Sequence, residues 1–258
     1  MTLTTLGWEL FDDPALLPWV SAVAPVARAL AEDPDTRAAW LRHGGTWFAG
    51  VNVLPNDADG AVPGGAPLTG HAVTRANELH GPGLAWDTAQ ISIVYPGYPK
   101  QDASESDAAF RFRRDRDAAH VDGLLPLGPE RRRKMVEPHA FVLGIPLTTC
   151  SADASPLVIW EESHVIIRAA FRDALATRPP SEWPNVDLTE VYHAARRRCF
   201  EECRRITVPA VPGQAYLIHR LALHGVAPWG PSAHAPEAGR MIAYFRPPFP
   251  GADWLTTL

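Results

Sequence analysis

The sequence predicts a mainly β protein of the α+β class, an antiparallel sandwich or barrel with helices packed outside. Its 258 residues include 26 prolines, roughly twice the average usage, which favours short segments joined by turns. The segments rich in strand formers are short and fall mostly in the last two thirds of the chain. Long connections without helical periodicity join them, unlike the alternation of strands and helices in a parallel sheet.

Composition favours one soluble domain, 1–258, and excludes some classes of function. The chain is 46% hydrophobic and 21% charged, with a formal net charge of −5, which argues against nucleic-acid binding as its main task. Three cysteines without C-x-x-C spacing favour a reducing compartment. A signal peptide and an apolar run of about 20 residues are both lacking in the sequence. We therefore expect a cytoplasmic protein with no membrane partner and leave its oligomeric state open.

The first part of the chain, 1–85, is predicted to be mostly helical. Asp13 and Asp33 each precede a proline, a pairing typical of a helix N-cap followed by its first residue. In order, the expected elements are a helix that carries Leu16, Leu17, Val20 and Val23, with its regularity limited by Pro18 and Pro25, then a helix ending at Gly44-Gly45, a strand at 46–54 and a surface loop at 55–70.

The second part, 86–258, carries most of the predicted strands. They lie at 90–95, 139–147, 155–160, 215–218 and 241–245. A helical insertion is expected near 163–206, with one helix capped by Ser163 and another opened by a capping-box pattern at Asp187.

Two arginine-rich runs, at 111–116 and 131–134, have two open interpretations. Solvated loops explain them, and the first run would then be a flexible lead-in to the next strand. Alternatively, they form a positive rim that attracts an acidic small-molecule substrate.

His120 and Asp122 are separated by one residue on a predicted extended segment, so their side chains point to the same face. Such a pair can hold one metal ion if a third ligand arrives from a distant part of the chain. His224 is the best candidate because it follows a predicted strand, and His219 is the runner-up. Two imidazoles and one carboxylate form a facial triad that suits Fe(II) and leaves the opposite positions open.

The order of these motifs resembles the phytanoyl-CoA dioxygenase family, whose members are Fe(II)/2-oxoglutarate-dependent oxygenases. The resemblance covers about half of the chain, from His120 to Arg246, and the first 85 residues match nothing in it. The residues that carry it are His120-Val121-Asp122, Pro156-Leu157, Ser163-His164, Leu223-His224-Gly225 and Gly239-Arg240.

This resemblance implies a double-stranded β-helix, the jelly-roll or cupin-like core, with His120, Asp122 and His224 as iron ligands. It also implies that Arg240 binds the distal carboxylate of the cosubstrate 2-oxoglutarate, since a guanidinium matches a carboxylate with two parallel hydrogen bonds. The implied activity is oxidation of a small-molecule C–H bond by O2, with succinate and CO2 as coproducts. Asp122 stands where related halogenases carry a small residue, so a hydroxylase is expected.

Three further positions bear on the site. Gln90 and Ser92, on the strand before the H-x-D motif, are candidates for contact with the cosubstrate or substrate. Arg246 shares a strand face with Arg240 but lies six residues along it, roughly 20 Å, so both cannot bind one ligand.

The sequence departs from the family pattern at two places. Ala119 replaces a Trp that often precedes the first His, and His224 and Arg240 are sixteen positions apart (224 to 240), which requires a bulging loop at 231–237.

Two alternatives remain open at this point. A jelly-roll protein of binding or regulatory function could keep the metal site without 2-oxoglutarate turnover, and Arg240 would discriminate it from the oxygenase. A metal-dependent isomerase or hydrolase would bind metal without any influence of 2-oxoglutarate. The sequence contains no P-loop, dinucleotide-binding, G-x-S-x-G or H-E-x-x-H motif.

Overall fold

A computed structural model describes residues 2–251 and 253–255, and it has a mixed α/β fold with a large antiparallel sheet. Its helices are α1 (Leu3–Leu6), α2 (Leu17–Glu32), α3 (Pro34–Trp40), α4 (His71–His80), α5 (Asp107–Asp115), α6 (Ser163–Leu175) and α7 (Thr189–Glu202), with short 3-10 turns at Pro14–Leu16 and Pro180–Asn185. Its strands are β1 (Trp8–Asp12), β2 (Leu41–Arg42), β3 (Trp47–Gly50), β4 (Gln90–Val94), β5 (Leu124–Leu127), β6 (Arg132–Met135), β7 (Phe141–Pro146), β8 (Leu157–Trp160), β9 (Arg205–Val208), β10 (Gln214–His219), β11 (His224–Val226) and β12 (Arg240–Phe245).

Two antiparallel sheets face each other. The larger has the order β1-β10-β7-β12-β4-β3-β2, and the smaller has the order β11-β8-β9. From β7 onward the chain passes to β8 and β9 in the smaller sheet, returns to β10, crosses to β11 and returns to β12. Side chains of both sheets meet in one apolar cluster that includes Val142, Ile159 and Ile218, so a core lies between the sheets.

Helices cover the outer faces of both sheets. Alternation along β4 and β7 sends Ile93 and Leu143 to the outer side of the larger sheet, where they share a cluster with Trp19 and Val23 of α2. On the smaller sheet, the outward-facing Trp160 shares a cluster with residues of α6 and α7. The site described below lies between the inner faces.

Several predicted elements are confirmed. β4, β7, β8, β10 and β12 lie within one or two residues of the predicted strands, and α6 and α7 form the predicted helical insertion. Asp33 caps α3 by accepting a hydrogen bond from the Thr36 amide at 2.8 Å. The capping box predicted at Asp187 was wrong, because Leu188 is the N-cap of α7 and no side chain caps it, although Asp187 accepts a hydrogen bond from the Thr189 amide at 2.9 Å.

Other helix predictions were wrong in detail. α2 continues through Pro25, and α3 ends at Trp40 rather than at Gly44-Gly45. Asp13 does not cap the turn that follows it at Pro14–Leu16. Its carboxylate instead accepts a hydrogen bond from the Ala72 amide at 3.0 Å. Ser163 is not a cap either, because its hydroxyl accepts the Leu223 amide at 2.8 Å. Asp13 and Ser163 therefore form hydrogen bonds with residues distant in the sequence instead of capping the adjacent helix.

The structure adds elements that the sequence did not predict. β1 pairs with β10 along its whole length, from Trp8 opposite Ile218 to Asp12 opposite Gln214. The polar segment expected to be flexible contains α5, which is capped by Ser106. Helix α4 and the hairpin of β5 and β6 are likewise additions.

The helical segment 14–32 corrects one expectation about apolar runs. By length and composition it could cross a membrane, with a mean hydropathy of 1.3. A buried core helix passes the same test, and the inner side of this one, with Trp19 and Val23, packs into the core beneath the larger sheet. The segment is therefore weak evidence for a membrane span.

Candidate metal centre and cavity

Backbone pairing brings the two halves of the predicted metal site together. The His120 amide donates to the His224 carbonyl at 2.8 Å, and the His224 amide donates back to the His120 carbonyl at 3.1 Å. The two rings are 4.6 Å apart between centroids. A short antiparallel bridge at the edge of the smaller sheet thus places both imidazoles side by side.

The carboxylate of Asp122 completes the cluster. Its Oδ1 lies 3.2 Å from His120 Nε2, and its Oδ2 lies 3.9 Å from His224 Nε2. One potential ligand atom from each of the three residues falls within 4.8 Å of the others. The structure therefore brings His120, Asp122 and His224 together, in an arrangement compact enough for a single ion.

Both imidazoles are oriented by their own backbone. His120 Nδ1 lies 3.0 Å from the Ala118 carbonyl, and His224 Nδ1 lies 2.9 Å from the Ala222 carbonyl. A carbonyl accepts only from a protonated nitrogen, so both rings donate from Nδ1 and direct Nε2, the nitrogen available to a metal, towards Asp122. A hydrogen bond on the non-ligating nitrogen is the usual support for a metal-binding histidine.

The three residues of the cluster differ in their protonation. Burial raises the pKa of Asp122, but the hydrogen bond from His120 and the charges around it hold that pKa well below its ordinary value. Burial and the His120 charge lower the pKa of His224 to about 4. For His120, desolvation lowers the pKa, but the hydrogen bond to Asp122 and the charge of that carboxylate outweigh it, so the pKa is raised. At neutral pH the cluster thus offers an ionised carboxylate and a neutral His224.

The loop that carries His120 is held from outside the cluster. Arg205 forms two hydrogen bonds to the buried carboxylate of Asp117, at 2.8 and 2.7 Å. Asp117 and Ala118 both have positive φ, 55° and 52°, a backbone conformation that non-glycine residues adopt at a cost. Arg205 therefore fixes a strained turn two residues before His120.

A cavity of about 250 Å³ opens beside the cluster, between the two sheets. The triad forms part of its wall, and His120 lies at the edge, with its side chain 49% exposed. The remaining wall is mainly apolar, and its residues are Trp47, Ala49, Val51, Gln90, Ser92, Val142, Leu157, Gly225, Val226, Tyr244 and Arg246.

Gln90 and Ser92 both line this cavity, as the sequence-based interpretation requires for contact with a ligand. The Ser92 hydroxyl accepts a hydrogen bond from Trp47 Nε1 at 3.0 Å. Gln90 lies opposite Tyr244 across β4 and β12. Its proposed role with the cosubstrate stays a prediction.

Arg240 lies behind the cavity rather than in its wall. Its residue is 6% exposed, and its Nη1 has no hydrogen-bond partner among the residues that the structure describes. The phenols of Tyr216 and Tyr244 are its close neighbours, and they are joined to each other by a 2.9 Å hydrogen bond. Since Tyr244 also lines the cavity, the tyrosine pair connects Arg240 to the space beside the triad.

Arg246 is a site residue that the sequence analysis assigned no role. It lines the cavity, and its Nη1 lies 3.8 Å from Asp122 Oδ2. The signal was present in the alternation of β12, where Arg240, Tyr244 and Arg246 share one face. Chain direction then separates the two arginines, with Arg246 beside the triad and Arg240 at the far end of the strand.

The other histidines considered from the sequence do not join the cluster. His219 Nε2 lies 2.8 Å from an Arg168 nitrogen, and its ring packs against His164 at 4.7 Å. His164 in turn bonds to the Thr4 carbonyl at 3.1 Å. His219 therefore belongs to a separate buried group, and the runner-up for the third ligand was wrong.

The arginine runs at 111–116 and 131–134 contribute no residue to the cavity wall within the described chain. Arg114 pairs with Asp115, Arg116 stacks over Phe200, and Arg132 pairs with Glu130. The expected positive rim is not at the triad, so these runs give no support for an acidic substrate.

Comparison with known proteins gives only distant structural similarity. No protein-family model and no curated protein matches the chain. The solved structures similar to it include the non-heme alpha-ketoglutarate-dependent carbocyclase SnoK from nogalamycin biosynthesis, at 14% identity and a TM-score of 0.44, covering 95% of this chain and 81% of that one. The epimerase SnoN in complex with Fe3+, alpha-ketoglutarate and nogalamycin RO is 16% identical, with a TM-score of 0.38 and coverages of 99% and 87%. Asparagine oxygenase is 16% identical, with a TM-score of 0.34 and coverages of 92% and 84%.

Proposed function

We propose that this chain is an Fe(II)- and 2-oxoglutarate-dependent oxygenase, a cytoplasmic hydroxylase acting on a C–H bond of a small molecule. The observation that carries the proposal is the cluster of His120, Asp122 and His224. Its two Nε2 atoms and its carboxylate converge at the wall of a cavity large enough for small ligands.

The donor set fits Fe(II). Two imidazole nitrogens and one carboxylate are the ligands of the non-heme iron oxygenases, and they occupy one side of the ion. The half-exposed ring of His120 places the cluster at the cavity's edge, which leaves the opposite side accessible to small molecules.

Arg240 fits the distal carboxylate of 2-oxoglutarate. A buried guanidinium nitrogen without a partner is costly and calls for an anion, and Arg240 Nη1 is in that position within the described residues. Burial raises the pKa of Tyr216 well above its ordinary value, so this hydroxyl stays protonated. Tyr216 and Tyr244 would supply hydroxyl groups beside the guanidinium.

When bound, iron and 2-oxoglutarate would supply the oxidising chemistry. The residues of the chain would bind and orient. Asp122 would offset part of the metal charge, the Nδ1 hydrogen bonds would orient both imidazoles, and Arg240 would hold the far end of the cosubstrate. The apolar walls, including Val142 and Leu157, exclude water and strengthen the electrostatic interactions inside.

The proposal includes a double-stranded β-helix as the core of the fold. Its support is the way the chain alternates between two facing antiparallel sheets from β7 to β12. The bridge between His120 and His224 extends the smaller sheet by one further segment.

Anaerobic spectroscopy tests the proposal. Addition of Fe(II) and 2-oxoglutarate to the purified protein should produce a visible charge-transfer band, and His120→Ala should abolish it. Metal binding without such a band, and without 2-oxoglutarate binding, would instead favour a metal-binding regulatory protein. Absence of both the band and succinate formation under aerobic conditions overturns the assignment.

A further inference from the structure

We propose that Arg246 binds the carboxylate of the substrate, and that the substrate is a small aliphatic carboxylic acid. This inference rests on the proposed function and deepens it by naming a substrate class and the residue that selects it. The observation behind it is that the Arg246 guanidinium lies in the cavity wall beside the triad, separate from the buried guanidinium of Arg240.

The position of Arg246 is fixed by its backbone. Its amide donates to Asp87 Oδ1 at 2.8 Å, directly after the end of β12. The side chain is 16% exposed and reaches towards Asp122, with 3.8 Å between Nη1 and Oδ2. The guanidinium is therefore held near the metal ligands without a close hydrogen bond to them.

Metal binding would change the electrostatic balance at this point. Among the residues that line the cavity, Asp122 and Arg246 are the two that carry a full charge besides the histidines. If the Asp122 carboxylate binds a cation, its negative charge offsets the positive charge of Arg246 less than it does without the cation. A largely desolvated guanidinium then favours a new anion, which it can bind with two parallel hydrogen bonds.

Arg240 and Arg246 cannot share one carboxylate. They share a face of the strand but lie six residues apart, roughly 20 Å along it, and Arg240 contacts the tyrosine pair behind the cavity. If Arg240 takes the cosubstrate, Arg246 remains for the substrate. Its closeness to the triad would place the substrate near the metal.

The cavity limits the rest of the substrate. Its volume of about 250 Å³ is below the roughly 300–1,000 Å³ typical of sites for drug-sized ligands. Much of the cavity wall is aliphatic, and it includes Val51, Val142, Leu157 and Val226. These walls fit a compact hydrocarbon body attached to the carboxylate.

Calorimetry with matched probes tests this inference. The probes are straight-chain carboxylates from acetate to octanoate, each beside its primary amide, titrated anaerobically into protein loaded with Fe(II) and 2-oxoglutarate. Wild type should prefer at least one carboxylate over its amide by about ten-fold or more, the typical effect of a charged hydrogen bond. Arg246→Gln should reduce this preference to less than about two-fold, and Arg246→Lys should keep part of it.

Two controls separate the possible failures. Arg111→Gln, on an exposed face of α5, should leave the preference unchanged. Arg246→Gln should retain the charge-transfer band of Fe(II) and 2-oxoglutarate. Absence of the band in wild type contradicts the proposed function. If Arg246→Gln shows the band and still prefers carboxylates over amides as wild type does, the proposed role of Arg246 is contradicted.

Three other outcomes overturn the inference. In the first, no carboxylate binds wild type better than its amide. In the second, Arg246→Gln weakens 2-oxoglutarate binding as strongly as Arg240→Gln does, which would assign Arg246 to the cosubstrate. In the third, Arg246→Gln and Arg246→Lys both fold and alter only metal affinity, which would give Arg246 a positioning role on Asp122.

Discussion

His120 and His224 are hydrogen-bonded to each other through their backbones, at 2.8 and 3.1 Å, rather than through their rings. The pairing aligns two segments that are far apart in the sequence. Both side chains then project from the same side of the short bridge, 4.6 Å apart. The separation of the two imidazoles is thus set by β-sheet geometry, before any metal binds.

Removal of one imidazole should abolish tight metal binding. We expect His224→Ala to lower the affinity for Mn(II) by more than about a hundred-fold, since even a change in the hydrogen-bonded support of a ligand costs roughly 10–100-fold. Calorimetric titration measures this effect. His234→Ala, at an exposed loop histidine, is the matched control and should bind Mn(II) like wild type. Equal affinities in the two variants would exclude His224 as a ligand.

Replacement of Arg240 should weaken 2-oxoglutarate binding and spare the metal. If Arg240 binds the distal carboxylate as proposed, Arg240→Gln removes the matching charge, so we expect an affinity for 2-oxoglutarate roughly 10–100-fold lower. Anaerobic titration of the charge-transfer band measures it, and Mn(II) affinity is the internal control. An unchanged affinity for 2-oxoglutarate would show that Arg240 has a structural role and does not bind the cosubstrate.

Gly225 should tolerate no side chain. A Cβ at this position would collide with the carbonyl oxygen of Asp117, which also accepts the Val226 amide at 2.9 Å. Gly225→Ala should therefore push the turn before His120 away from β11 and destabilise the protein by about 1–3 kcal/mol. Chemical denaturation and Mn(II) titration should both show a loss. An intact metal site in a fully stable variant contradicts this view of the turn.

The stability of the protein should fall as the pH drops below about 6.5, in part because of His43. Burial, with the Arg113 charge, lowers the pKa of this imidazole to about 4 in the folded protein, whereas an unfolded histidine titrates near 6.5. As the pH falls, His43 is therefore protonated in the unfolded chain at a higher pH than in the folded protein. Its contribution to the free energy of unfolding is lost between pH 6.5 and 4. Between pH 7 and 5 the loss should be about 2 kcal/mol.

Denaturation of His43→Gln at both pH values isolates this contribution. The variant keeps a polar side chain but cannot titrate, so its stability should decline less over the same range. The ring of His43 is stacked on Trp47, with 5.4 Å between centroids, so Trp47 fluorescence can report the transition. An equal pH dependence in both proteins would contradict the assignment.

The sequence was most informative where one local property decides the outcome. The segments 90–95 and 139–147 predicted strands correctly, because both are short and rich in strand formers that are buried in the sheet. The helix capped by Asp33 was found because the cap and its target amide are three residues apart.

Elements whose stability comes from partners were missed. β1 alternates polar and apolar residues weakly, and it is a strand because β10 pairs with it. Five of the nine residues of α5 (Asp107–Asp115) are charged, so this helix resembled a flexible segment. In each case the deciding contacts come from residues distant in the sequence.

The sequence by itself predicted that His120, Asp122 and His224 come together, because the H-x-D on an extended segment supplied two members and the later His-Gly motif indicated the third. Only the tertiary structure decided where the two arginines lie relative to this cluster. Along the sequence Arg240 and Arg246 are equivalent members of one strand face, but the opposite sheet brings the triad to one end of that face and the tyrosine pair lies beside Arg240. A residue's position relative to a cavity depends on which chain segments close that cavity, and those contacts exist only after folding.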